Sequence, residues 1–404
     1  MMAKEPLIPV DEARARIIAA IVPTPPERVP LGRARGRILA EDVVSLRMQP
    51  PTDLSAMDGY AVRAEDVATV PAKLRVVGEA PAGGAYAGTL NAGEAVRIFT
   101  GAPLPQGANA VVIQEDAERY GDVVVAREVA RVGNHVRPAG LDFKAGATGL
   151  PAGRKLSPAD IALAAAMNVP AVIAHRRPRI AYFSTGNELV MPGSDVGPNQ
   201  IVSANNDGLG ALIEEAGGIP HDLGIVADDR NAIRSAGRHA KDCDMLVTLG
   251  GASVGDHDLV QSALAEDGLK IDFWRIAMRP GKPLMFGHYG ELPMLGLPGN
   301  PVSALVCAML FLVPAIARLQ GGEAAPRTTL ARLVTPLPQN DRRQDYLRAR
   351  LVHMPGELPF AAPFEKQDSS MLSAMSAADC LVIRAPDAPP AKAGDIVTIM
   401  PLRF

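Results

Sequence analysis

From residue 178 the chain alternates short β-type runs with stretches of helical spacing, and this alternation constrains the fold more than any other feature. RIAYFSTGNEL leads to the helical NDGLGALIEEAGG, then to IPHDLGIVADDR, the helical NAIRSAGRHAKD and the strand DMLVTLGG. Such an order predicts a parallel sheet covered by helices on both faces, with ligands at the carboxyl ends of its strands.

The flanking regions have another texture. Residues 46–136 consist of short β-type runs cut by Gly and Pro, among them LRVVGEA, AVRIFTG, NAVVIQED and DVVVAREV, which reads as an all-β insert. Residues 326–404 return to such runs in TTLARLVTPL, YLRARLVHM, CLVIRA and DIVTIMPL, as in a small barrel. Near the N-terminus, apolar positions 13, 17, 18 and 21 share one helical face. At 157–167, Ser157 suits an N-cap, Pro158 the first helical position and Asp160 the acid of a capping box. That helix suits the residues before the insert better than those after it, so the first domain is expected to be discontinuous. The fold class is therefore α/β plus all-β and multidomain, as 404 residues also suggest.

A net charge of −3 argues against a protein built to neutralise a phosphate backbone, and 4% aromatic residues argue against a base-stacking platform. No nucleic-acid partner is expected. Cys243, Cys307 and Cys380 are widely spaced and form no C-x-x-C, which points to a reducing compartment without disulfides or zinc. The N-terminal MMAKEPLIPVDEAR lacks a signal-peptide core, and the apolar run 304–317 is short for a membrane span and contains Pro314. A cytoplasmic, soluble protein is expected.

The stretch GGASVGDHD, residues 250–258, admits two readings. As G-x-S-x-G it would be an elbow presenting Ser253 as a nucleophile, with Asp272, His288 or His353 as partners. An elbow, however, needs a helix to start at once, and the helical pattern here begins only at Asp256–Asp258. As a cradle, Gly250, Gly251 and Gly255 would bring backbone N–H groups close to an anion. Asp256 and Asp258 at its rim would repel that anion unless a cation intervened, so Mg²⁺ is expected there. The bland account of Asp256 is a helix cap.

Other strand-end loops repeat the theme. STGNEL supplies Glu188, and VADDR supplies Asp228 and Asp229. RIAMRPGKPL supplies Arg275, Arg279 and Lys282. In LPGNPVSAL, Pro298 precedes Asn300 as a candidate cap and Pro301 as the first residue of a long helix, a further anion seat. Neither G-x-x-x-x-G-K-[ST] nor a strand-linked G-x-G-x-x-G is present, which excludes the usual P-loop and dinucleotide folds.

In series, SAMDGYAV (55–62), FTGAPLP (99–105), STGNEL, GGASVGDHD, RPGKPL and LPGNPVSAL resemble the molybdopterin molybdenumtransferases, the MoeA family that includes the gephyrin E-domain. The resemblance spans essentially the whole chain. It implies a discontinuous N-terminal linker domain (1–45 with 137–176), an inserted β domain (46–136), an α/β molybdopterin-binding domain (177–325) and a C-terminal β-barrel (326–404). It also implies a homodimer whose cleft is shared between subunits. The reaction implied is insertion of molybdate into molybdopterin adenylate, with Mg²⁺-assisted hydrolysis to molybdenum cofactor and AMP.

Residue by residue, the resemblance assigns Asp58 and Thr100 to the active site from the linker and β-domain side. Glu188, Asp228 and Asp258 match its acidic residues, and Glu188, Asp256 and Asp258 are the expected metal ligands. Asp142, Arg348, Ser369 and Ser370 match polar positions, and the Gly250–Gly255 cradle with Ser253 would bind substrate. Arg275 and Arg279 occupy places where the family commonly has lysine. Arginine keeps the charge but cannot serve as a proton donor. IVSANNDG also departs from the usual pattern at Asn205. Three other functions are weighed: adenylyl transfer to molybdopterin by the preceding enzyme of the pathway (itself a possible contact), a non-catalytic scaffold, and a serine hydrolase. The long N-terminal part and terminal barrel argue against the first, and retention of Asp58, Glu188, Asp228 and Asp258 against the second.

Overall fold

Helix α1 (Val10–Ala19) buries Val10, Ala13 and Ile17, the face that its apolar spacing predicts. This computed structural model describes residues 7–251, 259–323 and 325–402. They form two compact units: residues 28–35 and 41–173 make one, and the remainder makes the other.

The first unit is built on a mixed six-stranded sheet of β1 (Gly59–Val62), β2 (Ala72–Ala80), β3 (Glu94–Ile98), β4 (Ala110–Ile113), β5 (Ala117–Tyr120) and β6 (Val123–Ala126). Its strand order is β4-β1-β3-β2-β6-β5. Alternate residues of β1 enter different cores: Tyr60 and Val62 pack with Val112 and Val124, whereas Ala61 packs with Val96 and Ile98. Helix α2 (Pro158–Ala166) begins with the expected capping box, in which Ser157 accepts from the Asp160 N–H and Asp160 accepts from the Ser157 N–H.

The second unit holds the α/β layer. Its elements are β7 (Arg179–Thr185), α3 (Asn205–Glu215), β8 (Ile219–Val226), α4 (Arg230–His239), β9 (Met245–Leu249), α5 (Leu259–Ala265), β10 (Leu269–Trp274), β11 (Met278–Arg279), β12 (Met285–Tyr289) and β13 (Leu292–Leu297). The sheet runs β8-β7-β9-β13-β12-β10. Strand β7 is buried on both faces, with Ile180 and Tyr182 in one core and Ala181 and Phe183 in the other. The expectation of a wholly parallel sheet needs correction, because β12 and β10 join antiparallel to their neighbours. The cause is local: a tight turn at Gly290, with φ +63°, folds β12 back on β13, and no helix separates β10 from β12.

Residues 301–319 form one long apolar helix, α6 (Pro301–Cys307) and α7 (Val313–Leu319) joined by a π-turn at Ala308–Leu312. Pro314 sits just beyond that turn; lacking an N–H, it accounts for the local change of hydrogen-bond spacing. The helix is long and apolar enough to cross a membrane, but 72% of the span is buried within the protein. It supplies Val302, Val306, Phe311 and Ile316 to the same core as α1. Strands β14 (Thr329–Leu333), β15 (Gln344–Val352), β16 (Phe360–Pro363), β17 (Cys380–Arg384) and β18 (Ile396–Pro401) then close into a five-stranded barrel, because β15 pairs with both β16 and β17. Strand β11 adds to its edge, with Arg279 in register with Asp345.

Candidate active site

The carboxyl ends of β8, β7, β9 and β13 lie side by side, since these strands are adjacent, parallel and nearly in register. Four of the polar loops noted in the sequence therefore emerge along one edge. The Asn187 N–H donates to Asp228 Oδ2 (3.3 Å), and the Asp228 N–H donates back to Asn187 Oδ1 (3.1 Å). This reciprocal pair ties the loop carrying Glu188 to the loop carrying Asp228. The Glu188 carboxylate folds over Gly186, where an added Cβ would meet Oε2 at 2.6 Å. Asp229, by contrast, caps α4 by accepting from the Asn231 and Ala232 N–H groups at 2.9 Å. Of the two neighbouring aspartates, Asp228 alone is left for the loop edge.

Gly250 and Gly251 have φ of +90° and +67°, conformations that side chains rarely adopt. A Cβ on Gly251 would collide with Val260, so the turn depends on both glycines. Gly250 donates to Leu297 O (3.1 Å), which sets the glycine turn beside the 298–300 loop. Asn205 Nδ2 donates to Gly299 O (2.8 Å), so this residue braces the same loop. Ser253, Gly255, Asp256 and Asp258 lie outside the described residues.

Pro301 opens α6 as expected. Asn300, however, makes no side-chain cap; its Nδ2 donates instead to Ser369 Oγ (3.0 Å), and the Val302 N–H donates to Ser369 O (3.1 Å). A tertiary contact has replaced the cap. Pro298 is buried just before this junction. Ser370 turns the next residue of the barrel loop by donating through its N–H and Oγ to Asp368 Oδ1. Beneath that loop, Arg348 is only 1% exposed. Its Nε donates to Gln367 Oε1 (3.2 Å) and its Nη1 to Met371 O (3.3 Å), both neutral acceptors. Among the described residues no carboxylate comes within ion-pair distance of it. Burial pushes its pKa down, offset only by the more distant charge of Asp368.

Of the two arginines at the expected lysine positions, Arg279 is already engaged, whereas Arg275 Nε is buried with no hydrogen-bond partner among the described residues. Arg279 Nε donates to Asp345 Oδ2 (3.1 Å), Nη2 bonds the same oxygen, and Nη1 lies 3.5 Å from Asp341 Oδ2. Asp345 is 3% exposed, and its other oxygen has no partner among the described residues. Arg275 adopts φ +78° and lays its guanidinium 4.7 Å from the Trp274 ring centre. The side chain of Lys282 is exposed.

In the other unit, Asp58 Oδ1 accepts both the Thr100 N–H (2.8 Å) and the Thr100 hydroxyl (2.7 Å). The backbone bond is the main reason that the Asp58 pKa lies below the usual aspartate value, with the Thr100 hydroxyl next and the Arg97 charge adding a little. Asp142 is exposed on a loop whose N–H donates to Gln49 O (3.0 Å).

The MoeA N-terminal region, domains I and II, is matched over residues 8–168, a probable molybdopterin binding domain over 181–318 and the MoeA C-terminal region, domain IV, over 331–402. A molybdopterin molybdenumtransferase from Nostoc is 42% identical over 331 residues, covering 78% of this chain and 76% of that one. This chain belongs to the MoeA family. The MoeA likeness extends to a Haemophilus influenzae molybdopterin molybdenumtransferase, 33% identical with 98% of each chain covered. A crystal structure of a MoeA protein of molybdopterin biosynthesis from Pyrococcus horikoshii shares 29% identity and a TM-score of 0.85, covering 98% of this chain and 100% of that one.

Three residues beside these loops carry no sequence signal of their own. Asn187 lies inside STGNEL, yet only the folded loops reveal Asp228 as its partner. Gln367 supports Arg348 from 19 residues away, a separation without a local signature. Asn206, 1% exposed, accepts from Ser184 Oγ (2.5 Å) and Ser203 Oγ (3.2 Å) and donates to Asp222 Oδ1 (2.8 Å). It is the neighbour of Asn205, the residue that the sequence drew attention to.

Proposed function

We propose that this chain inserts molybdate into adenylated molybdopterin, with Mg²⁺-assisted hydrolysis to molybdenum cofactor and AMP. The observation that carries this reading is the loop edge, where the Asn187–Asp228 pair joins the Glu188 and Asp228 loops next to the glycine turn at Gly250 and Gly251. Molybdate is a dianion, and the adenylate brings a diphosphate. Support also comes from the relatives named molybdopterin molybdenumtransferase.

Glu188 and Asp228 suit Mg²⁺, which binds through one or two carboxylates and completes its shell with water and phosphate oxygens. Their loops are joined by the Asn187–Asp228 pair, so both carboxylates belong to one loop edge. Asp256 and Asp258 are the further candidates. When bound, the ion would neutralise charge building on the diphosphate. The chain's own residues would hold the anions through the glycine turn, with Arg348 bracing the 367–371 loop from beneath, while Asp58, ionised and oriented by Thr100, would orient the attacking water. Arg275, Lys282, Asn300, Ser369, Ser370 and Asp142 belong to the same proposal as substrate-side groups, and Arg279 as a charge beside them.

A cytoplasmic homodimer, with a second chain completing the cleft, fits this reading; the free, buried cysteines suit a reducing compartment. The division into linker, inserted β, α/β and barrel domains is part of the proposal, as is contact with the adenylyltransferase of the pathway. The test is AMP release from molybdopterin adenylate at fixed Mg²⁺, with and without molybdate. Molybdate-dependent release is expected, and Asp228→Asn should lower it by about tenfold or more. Release that ignores molybdate, or an Asp228→Asn chain that turns over normally, would remove the reading.

A further inference from the structure

Arg97 of β3 is opposite Tyr60 of β1 and is held from four directions. Its guanidinium carbon lies 4.7 Å from the Phe99 ring centre and 5.2 Å from that of Tyr60. Nη1 donates to Gly59 O (3.0 Å) and Nη2 to Gln114 Oε1 (2.7 Å). The Gln114 N–H in turn donates to Asp58 O (3.0 Å). Among the described residues, no Asp or Glu comes within ion-pair distance of Arg97.

These contacts converge on the two ends of one hydrogen-bonded pair. Through Gly59 O, Arg97 holds the residue that follows Asp58, and through the Gln114 side chain it holds the residue whose N–H binds the Asp58 carbonyl. Through Phe99 it steadies the residue just before Thr100, the donor of both bonds to Asp58 Oδ1. A residue that only filled space between strands would not need a planar fork, two rings and two acceptors. We propose that Arg97 is a positioning residue that holds Asp58 and Thr100 in their mutual geometry. For its effect on turnover this inference rests on the proposed role of Asp58; for its effect on local structure it does not.

The test compares Arg97→Met, which keeps the stem and loses charge and fork, with Arg97→Lys, which keeps charge and stem. Two quantities are read in the full-length chain: hydrogen exchange at the Thr100 amide, and kcat and KM for AMP release. Arg97→Met should speed Thr100 exchange by about tenfold and lower kcat by about 100-fold with a much smaller change in KM. Arg97→Lys should recover part of both. On an Asp58→Asn background, Arg97→Met should add little further loss, since both changes act on one pair. Wild-type exchange at Thr100 in Arg97→Met, or a loss that multiplies that of Asp58→Asn, overturns the inference. Where Arg97→Met does not fold, the Arg97→Lys exchange rate decides. Full turnover in Asp58→Asn would instead sink the proposed role of Asp58, while Thr100 exchange still judges Arg97.

Discussion

Arg279 shows how a residue's chemistry follows from its partner. Its guanidinium is committed to Asp345, whose side chain is 4% exposed, while that of Arg279 is 49% exposed. Burial raises the Asp345 pKa, and the Arg279 bonds pull against that rise. The folded protein therefore takes up the Asp345 proton more readily than the unfolded chain. Stability from this group is greatest at acid pH and falls as pH rises above the ordinary carboxylate range. Arg279→Ala removes the counter-charge and should cost about 2–3 kcal/mol near neutral pH, less than a fully enclosed pair because Arg279 is half exposed. The deficit should widen from acid to neutral pH as the stranded carboxylate is forced to ionise. Urea titrations at acid and at neutral pH measure it, and a deficit independent of pH would show that Asp345 is not the group concerned.

At the scale of elements, the loops matter more than the strands they follow. The Ser184–Asn206–Asp222 network pins the start of α3 against β7 and β8, and Asn206 is central to it. Asn206→Ala would leave the Ser184 and Ser203 hydroxyls and Asp222 short of partners, at a cost of about 2 kcal/mol. Because Asn206 adjoins Asn205, which braces the 298–300 loop, AMP release should fall along with stability; a chain that loses neither would show the network to be dispensable. The same scale separates what was legible from what was not. The capping box of α2 could be read from residues 157–160 because its bonds are local. Asn300 looked like a cap on the same grounds, but its side chain answers to Ser369, 69 residues away. The antiparallel direction of β12 is not legible locally although Gly290 marks a turn, since direction depends on what the intervening residues do not form.

For the whole molecule, the apolar helix 301–319 shows why composition alone misleads: its span is largely wrapped by α1, α3 and the sheet. The proposed homodimer belongs at this scale too. Sedimentation should report a two-chain species, and mixing Asp58→Asn with Asp228→Asn chains should restore part of the lost turnover if each cleft draws on both chains. A monomer with full activity would end that part of the proposal.

By itself, the sequence determined the α/β alternation, the β insert, the closing strands and the chemical character of each loop. These depend on which residues are apolar, and with what period, over a few neighbouring positions. Tertiary structure decided the pairings: Asn187 with Asp228, Arg279 with Asp345, Thr100 with Asp58, Ser369 with Asn300. A charged or polar side chain acts within a few ångströms, and its partner can lie 40 to 70 residues away because packing, not chain order, sets what is near.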